Sequence, residues 1–511
     1  MEDLNLWNER DLARREAMVS RSRDWRNGAV VYQVMVDRFA PSLRLDQKAH
    51  LYQSPRRLRR WDELPVQGSW DDQAQVWTHE VDFWGGDLHS LCQRLDYLQD
   101  LGIDVVYLNP IFLSLTNHKY DTWDYHQVDP TLGSRAEVAA LAGELHRRGM
   151  RLMLDGVFNH MGRRSPMFTS AQADTASPWR DFFRFRPEPP QQAIGWLDVE
   201  NLPELNLEHP RVQDFIYREV DSVVQSYLRQ EQIDGWRLDV AFDLGFRILH
   251  ELTRCAHEAR PGSAVIGEIW NYPEDWHPAV DGVMNMHGRA ILMRLVREQL
   301  SPRVAADMWD TMVEDAGLDH LLKAWLVLDN HDTARLTHEL PEAHQQRMAR
   351  ILQFTLPGTV CLYYGSELGM EGGPEPASRA PMRWDLLCEE NPTLQLHRSL
   401  LALRQECPAL RWGDFRRLHA DDLFAFLRRT GSARETVVVV ANPGEHERTR
   451  FVQLRDSRIQ DVTILRDALT GREWTAFAGG VEVTVPAREV LILRPDCSPS
   501  PGGYHRYRRL P

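Results

Sequence analysis

Residues 233–243 read IDGWRLDVAFD: a short apolar run that ends on an acid, followed by a new apolar stretch. The same figure recurs along the chain. AVVYQVMV (29–36) leads into Asp37-Arg38, IDVVYL (103–108) into Asn109-Pro110, and RLML (151–154) into Asp155. AVIG (264–267) leads into Glu268, VDGVMNM (280–286) into His287, AWLVL (324–328) into Asp329, and TVCLYY (359–364) into Gly365 and Glu367. Helical patterns such as DLHSLCQRLDYLQDL (87–101) and SRAEVAALAGELHRRG (134–149) lie between most of these runs. Apolar strands alternating with amphipathic helices indicate a parallel sheet covered on both faces. Eight such units predict an α/β chain built on a (β/α)8 barrel, whose strand ends face the site of chemistry.

Outward from the barrel the pattern changes twice. Residues 161–205 lack periodicity and are rich in Phe, Trp, Pro and Arg, so they read as an excursion over the barrel mouth. Beyond residue 408, short strands such as DLFAFLR (422–428), TVVVVA (436–441) and EVLIL (489–493) predict an all-β sandwich. The expected domains are an N-terminal extension (1–24), the barrel (25–160 and 206–407), the excursion (161–205), the β-sandwich (408–496) and a mobile tail (497–511).

A net charge of −14 argues against a general affinity for nucleic acid or anionic membranes. The first twenty residues are charged and lack the apolar core of a secretory signal, and no apolar run reaches membrane-spanning length. The six cysteines are scattered without metal-like spacing, as in a cytoplasmic protein with free thiols.

Three acids stand at strand ends: Asp239, Glu268 and Asp332, the last in LDNHDTAR. Cleavage of a glycosidic bond with retention needs two carboxyls, a nucleophile and an acid/base, and further negative charge stabilises the oxocarbenium-like transition state. Strands four and five are barrel neighbours, so Asp239 and Glu268 can meet across one glycosidic oxygen. Arg237 lies two residues before Asp239 on the same strand face, where a guanidinium would hold Asp239 ionised. His160 and His331 are candidate donors to sugar hydroxyls. Asp155, His160, His331 and Asp332 could also be read as a metal set, but no H-x-x-x-H, H-E-x-x-H or two-metal pattern occurs, so no catalytic metal is expected.

DGVFNH (155–160), GWRLDVAFD (235–243), GEIW (267–270) and NHD (330–332) resemble, in order and spacing, the four signature regions of the α-amylase family of glycoside hydrolases. LPELN (202–206), FWGGDLHSLCQRLDYLQDLGI, NPIF, NHKYDT and PMRWD (381–385) resemble the neopullulanase, cyclomaltodextrinase and maltogenic amylase subgroup. The resemblance runs from about residue 25 to 495. It implies Asp239 as nucleophile, Glu268 as acid/base and Asp332 as transition-state stabiliser. It implies substrate contacts at Tyr120, Asp155, His160, Arg237, Trp270, His331 and Arg335, with Tyr120 stacked on the sugar and Trp270 on the leaving-group side. The implied substrates are maltodextrins or cyclodextrins, cleaved at α-1,4 and also α-1,6 bonds. Transfer to a sugar acceptor, or isomerisation, would use the same intermediate; a non-catalytic carbohydrate-binding barrel would have lost acids that are all present here.

Three features depart from the subgroup. Its members usually carry a β-rich N-terminal domain that shapes dimer and pocket, whereas about 24 residues precede the first strand here, which leaves the oligomeric state open. The loop APSLRLDQKAH after Asp37-Arg38-Phe39 lacks the Asn/Asp cluster that binds calcium in relatives, although Gly85-Gly86-Asp87 remains, so no structural metal or other cofactor is expected. Leu202, Glu204, Phe242 and Asp243 replace residues common on the acceptor side of relatives.

Overall fold

The computed structural model describes residues 9–498 and Tyr504. All eight expected strands form: β1 (Val30–Val34), β2 (Val105–Leu108), β3 (Arg151–Gly156), β4 (Gly235–Leu238), β5 (Ala264–Ile269), β6 (Gly282–Asn285), β7 (Trp325–Val327) and β8 (Thr359–Tyr363). They pair in parallel in chain order and close through β1 and β8 into a barrel. Successive side chains point to opposite faces. Val31, Val105, Met153, Ile266, Met284 and Val327 therefore fill the barrel interior. Val30, Tyr32, Val106 and Leu154 pack outward against the helices. Both faces are buried, which is why the strands read as continuous apolar runs.

Register places the chemistry. Arg237 lies opposite Asp155 on β3 and Ile266 on β5, and Leu238 lies opposite Gly267. One residue further on, Asp239 and Glu268 emerge at the same level from neighbouring strands.

Two excursions cover the mouth. Residues 161–205 carry a helix (Pro166–Ala173) and are stitched by single bridges, His160 to Glu204 and Gly195 to Pro203 among them. The second runs from residue 40 to 86 after β1, where the domain reading had only barrel. It holds the small ladders Arg57–Leu58 with Asp82–Phe83 and Trp70–Asp71 with Val76–Trp77. Two-residue ladders leave no periodic signature, so this excursion was not visible as a unit. A hairpin after β2, Phe112–Ser114 with Thr122–Val128, completes the rim.

The C-terminal strands are β9 (Asp414–Leu418), β10 (Phe424–Arg429), β11 (Val437–Asn442), β12 (Arg448–Gln453), β13 (Ile464–Asp467), β14 (Glu473–Phe477), β15 (Gly480–Val485) and β16 (Glu489–Pro495). They form an antiparallel sheet in the order β9-β10-β11-β16-β13-β14-β15-β12, folded over a core that includes Leu427, Val438, Val483 and Leu491. Its other face, with Phe426, Val439 and Ile492, joins the barrel core. The N-terminal extension is helical over Glu9–Arg23 and ties the two domains: Arg14 and Arg21 both bind Asp414, and Arg21 also reaches Asp319 on the barrel. Most of the expected mobile tail lies outside the described residues, but Tyr504 is buried and donates its hydroxyl to the Arg458 carbonyl at 2.8 Å. All six cysteines are unpaired. Among the described residues no helix is long and apolar enough to cross a membrane.

Candidate active site

Arg237 organises the barrel mouth from a fully buried position at the end of β4. Its Nη1 donates to Asp155 Oδ1 at 2.9 Å and to Asp239 Oδ1 at 2.9 Å. Its Nη2 lies 3.0 Å from Glu268 Oε2, an ion pair without hydrogen-bond alignment. One guanidinium thus gathers carboxyls from β3, β4 and β5.

The chain turns sharply after Asp239. Val240 has φ 46° and ψ 39°, a left-handed conformation that costs a β-branched residue roughly 1–3 kcal/mol. That turn aims the Val240 N–H at Glu268 Oε2, 2.9 Å away, while Trp270 Nε1 donates to Glu268 Oε1 at 3.1 Å. Glu268 is held by a strained backbone on one side and an indole on the other. Trp270 itself is 56% exposed, so it serves the cleft and not the core.

Across the mouth, Tyr120 presents its ring. Its hydroxyl donates to Asp155 Oδ2 at 3.0 Å and sits against His331 Nε2, and the two rings stack 5.4 Å apart. Gln33 Nε2 donates to His331 Nδ1 at 2.9 Å, which directs the Nε2 edge of His331 toward Asp332 Oδ2 at 3.1 Å. Asp332 is exposed to the cleft. His160 is buried, its Nε2 has no partner, and its ring lies under Trp196 of the excursion at 5.8 Å. Burial lowers the His160 imidazole to about 4, so it is neutral near pH 7. Burial, with Arg379 and Arg237 adding to it, also holds His331 neutral.

Electrostatics correct one expectation. Burial raises Asp239 well above the usual carboxylate range; Arg237 opposes this, but Glu268, Asp155 and Asp332 add to it. Arg237 therefore does not by itself keep Asp239 ionised. Asp239 and Asp155, both raised by burial around one guanidinium, retain a proton more readily than an isolated acid does, and the proton belongs to the coupled pair.

Two expected substrate contacts face elsewhere. Asp155 is buried, with its oxygens taken by Arg237, Tyr107 and Tyr120, so it positions those groups and offers no edge to a ligand. Arg335 is turned away from the cleft: Nε donates to the Ser378 carbonyl at 2.9 Å and Nη1 to the Tyr364 carbonyl at 2.6 Å, with the guanidinium over the Tyr363 ring. An arginine in a strand-end motif reads alike whether it faces cleft or wall. Arg379 serves the cleft in its place, donating Nε to the His331 carbonyl at 2.8 Å and Nη2 to Asp332 Oδ1 at 3.5 Å.

Sequence reasoning missed Gln33, Trp196, Arg379 and Asn109, whose Nδ2 donates to the Tyr120 hydroxyl at 3.2 Å. A glutamine inside the apolar run AVVYQVMV was a usable signal; the loop positions of Trp196 and Arg379 carried none.

The residues present do not fit a structural calcium at Asp87. The Lys48 ammonium stands there, 2.9 Å from Asp87 Oδ2, and donates to the Thr131 carbonyl at 2.8 Å and the Gly86 carbonyl at 3.4 Å. Among the described residues no cluster of three His, Cys, Asp or Glu side chains could hold a metal ion.

Comparison with known proteins agrees with this geometry. Residues 33–391 match the family model of the α-amylase catalytic domain. A cyclomaltodextrinase from a Bacillus species is 32% identical over 82% of this chain and 73% of its own length. Neopullulanase 2 of Thermoactinomyces vulgaris is 31% identical over 92% of this chain and 78% of its own. The solved debranching enzyme of Nostoc punctiforme superposes with a TM-score of 0.76 at 28% identity, covering 92% of this chain and 99% of that one. With the acids of β4 and β5 gathered at the mouth of a closed eight-stranded barrel, the chain belongs to the α-amylase family of glycoside hydrolases.

Proposed function

We propose that the protein hydrolyses α-1,4-glucosidic bonds of maltodextrins or cyclodextrins with retention of configuration, acting also on α-1,6 bonds. One observation carries this reading: Asp239 and Glu268, level on neighbouring strands, share the buried guanidinium of Arg237. The names of the relatives, cyclomaltodextrinase and neopullulanase, support the substrate class.

In this reading Glu268 gives its proton to the glycosidic oxygen while Asp239 attacks the anomeric carbon from the opposite face. The carbon–oxygen bond breaks, the shortened chain leaves with the proton, and the retained sugar is esterified to Asp239. Water then gives a proton to Glu268 and attacks the same carbon, releasing Asp239. Asp332, aligned by His331 and Arg379, faces the positive charge that develops on the sugar. Tyr120 stacks on the sugar, His160 offers its free Nε2 to a hydroxyl, and Trp270 lines the path of the leaving group. The unpaired cysteines support a reducing compartment, the cytoplasm.

The test is product analysis on maltotriose, β-cyclodextrin, pullulan, starch and trehalose, with the anomer of the first product read by proton NMR. Opening of cyclodextrin with release of maltose or glucose as the α-anomer is expected. Longer or rearranged products without new reducing ends would replace hydrolysis by transfer. First-formed β-anomer would exclude retention.

A further inference from the structure

Beneath the acids, inside the barrel, lies a tyrosine that no substrate reaches. Tyr107 stands on β2, fully buried among Val105, Met153, Met284 and Cys361. Its ring lies against Trp325 of β7, with centroids 5.3 Å apart. From this apolar layer its hydroxyl donates to Asp155 Oδ2 at 2.5 Å.

Asp155 is in turn what orients Arg237. The guanidinium makes three N–H···O bonds, all from Nη1: two go to Asp155, at 2.9 and 3.1 Å, and one to Asp239, at 2.9 Å. Its Nε faces Met284 Sδ at 3.4 Å, a weak acceptor, and its Nη2 has no aligned partner. The group that gathers Asp239 and Glu268 is therefore held from the Asp155 side. Such an anchor works as a carboxylate, because protonation removes its charge and part of its accepting capacity.

Donors converge on Asp155 from three elements: Tyr107 on β2, Tyr120 on the hairpin after β2, and Arg237 on β4. Among the described residues the Asp239 carboxyl has Arg237 alone. The charged groups facing the two acids are Arg237 from β4, Glu268 from β5 and Asp332 after β7, with the neutral His331 beside Tyr120. Burial pushes Asp155 up; Arg237 and then the Tyr107 hydroxyl oppose it, and Glu268 adds to the rise. A donor that favours the charged form of one acid lowers the pH at which a coupled pair sheds its last proton.

We propose that Tyr107 is a positioning residue for glycosidic cleavage: its hydroxyl fixes Asp155, and through Asp155 the guanidinium of Arg237 that sets Asp239 and Glu268. The proposal rests on the α-glucan reading above.

The experiment is Tyr107→Phe, which keeps the ring against Trp325 and removes one donor. On maltotriose, kcat is expected to fall about tenfold with KM within about twofold, since the hydroxyl meets no substrate. The acid limb of kcat/KM should move up by about one pH unit. A ring that merely packs would leave the limb in place, and an unmoved limb overturns the proposal.

Thermal melts read the same contact without turnover. Ionisation of the raised pair opposes folding, and loss of a donor enlarges that cost above the folded pKa. The melting temperature of Tyr107→Phe should therefore lie further below wild type at pH 7 than at pH 4. An equal gap at both pH values counts against the proposal. If the wild-type protein turned over no α-glucan, the functional reading would fail, and the melts would decide this one. Should Tyr107→Phe not fold, the double variant Tyr107→Phe/Asp155→Asn, which carries no charge above the ring, is expected to fold. Its failure as well would mean that the hydroxyl acts other than through Asp155, which overturns the proposal.

Discussion

Asp239 shows how much a single carboxyl here depends on its surroundings. Burial and the neighbouring acids raise its proton affinity in the fold above that of the unfolded chain, where an aspartate titrates near pH ~3.9. The sign follows from linkage: ionising Asp239 opposes folding. The cost is absent below the unfolded pKa, grows as pH rises through the window up to the raised folded value, and is complete above it. Asp239→Asn should therefore melt at or above the wild-type temperature at pH 7, with the difference shrinking toward pH 4. Arg237 keeps Asp155 and Glu268 in that variant. Its turnover of maltotriose should fall on the order of 10⁴-fold or more, as for loss of a nucleophile. Thermal melts at the two pH values, with initial rates, check both parts; turnover within tenfold of wild type would remove Asp239 from the role. Of the residues in this constellation, the three acids, both histidines and Arg237 were legible because they follow apolar runs. Their proton affinities were not, because they depend on what surrounds them.

At the scale of elements, Lys48 joins three segments distant in sequence: the short helix Leu45–Lys48, the cap of the helix Leu88–Cys92, and the loop at Thr131. Burial pushes the Asp87 carboxyl up, but the Ser42 hydroxyl, Lys48 and the Ser90 N–H outweigh it and keep the acid low. Both ends of the ion pair are nearly inaccessible. Lys48→Met would leave Asp87 buried without its counter-charge, a change that costs about 3–5 kcal/mol. Denaturant titration of the variant against wild type measures this. Because a side chain supplies the charge, EDTA should leave the wild-type melting temperature unchanged; a fall on chelation would restore a metal to the fold. The sequence offered only the absence of an Asn/Asp cluster. That a lysine fills the gap follows from how the excursion after β1 folds back on Asp87.

For the whole molecule, barrel and β-domain share one apolar core: Phe426, Val439 and Ile492 belong with Leu400 and Leu410. Buried arginines reinforce the seam. Arg428 donates to the carbonyls of Thr355, Leu410 and Gly413, and Arg404 to those of Gly28 and Phe354. Separating the domains would expose this surface and take the Thr355 carbonyl away from Arg428. Differential scanning calorimetry should show a single transition, and a chain ending at residue 407 should fail to accumulate as a soluble, folded barrel. Two resolved transitions, or an active barrel without residues 408–496, would contradict a shared core.

The amino-acid sequence by itself determined the eight strands, the acids at their ends and the change to an all-β unit after residue 408. Each of these is written locally, in apolar runs long enough to be buried on both faces and in the residue that follows them. Only the tertiary structure decided that Arg379 and not Arg335 serves the cleft, that Asp155 supports Arg237 instead of a ligand, and that Trp70, Trp77 and Trp196 gather around the mouth. Those residues lie in segments without periodicity, and their orientation is set by contacts among the β1, β2 and β3 excursions, which meet only once the barrel has closed.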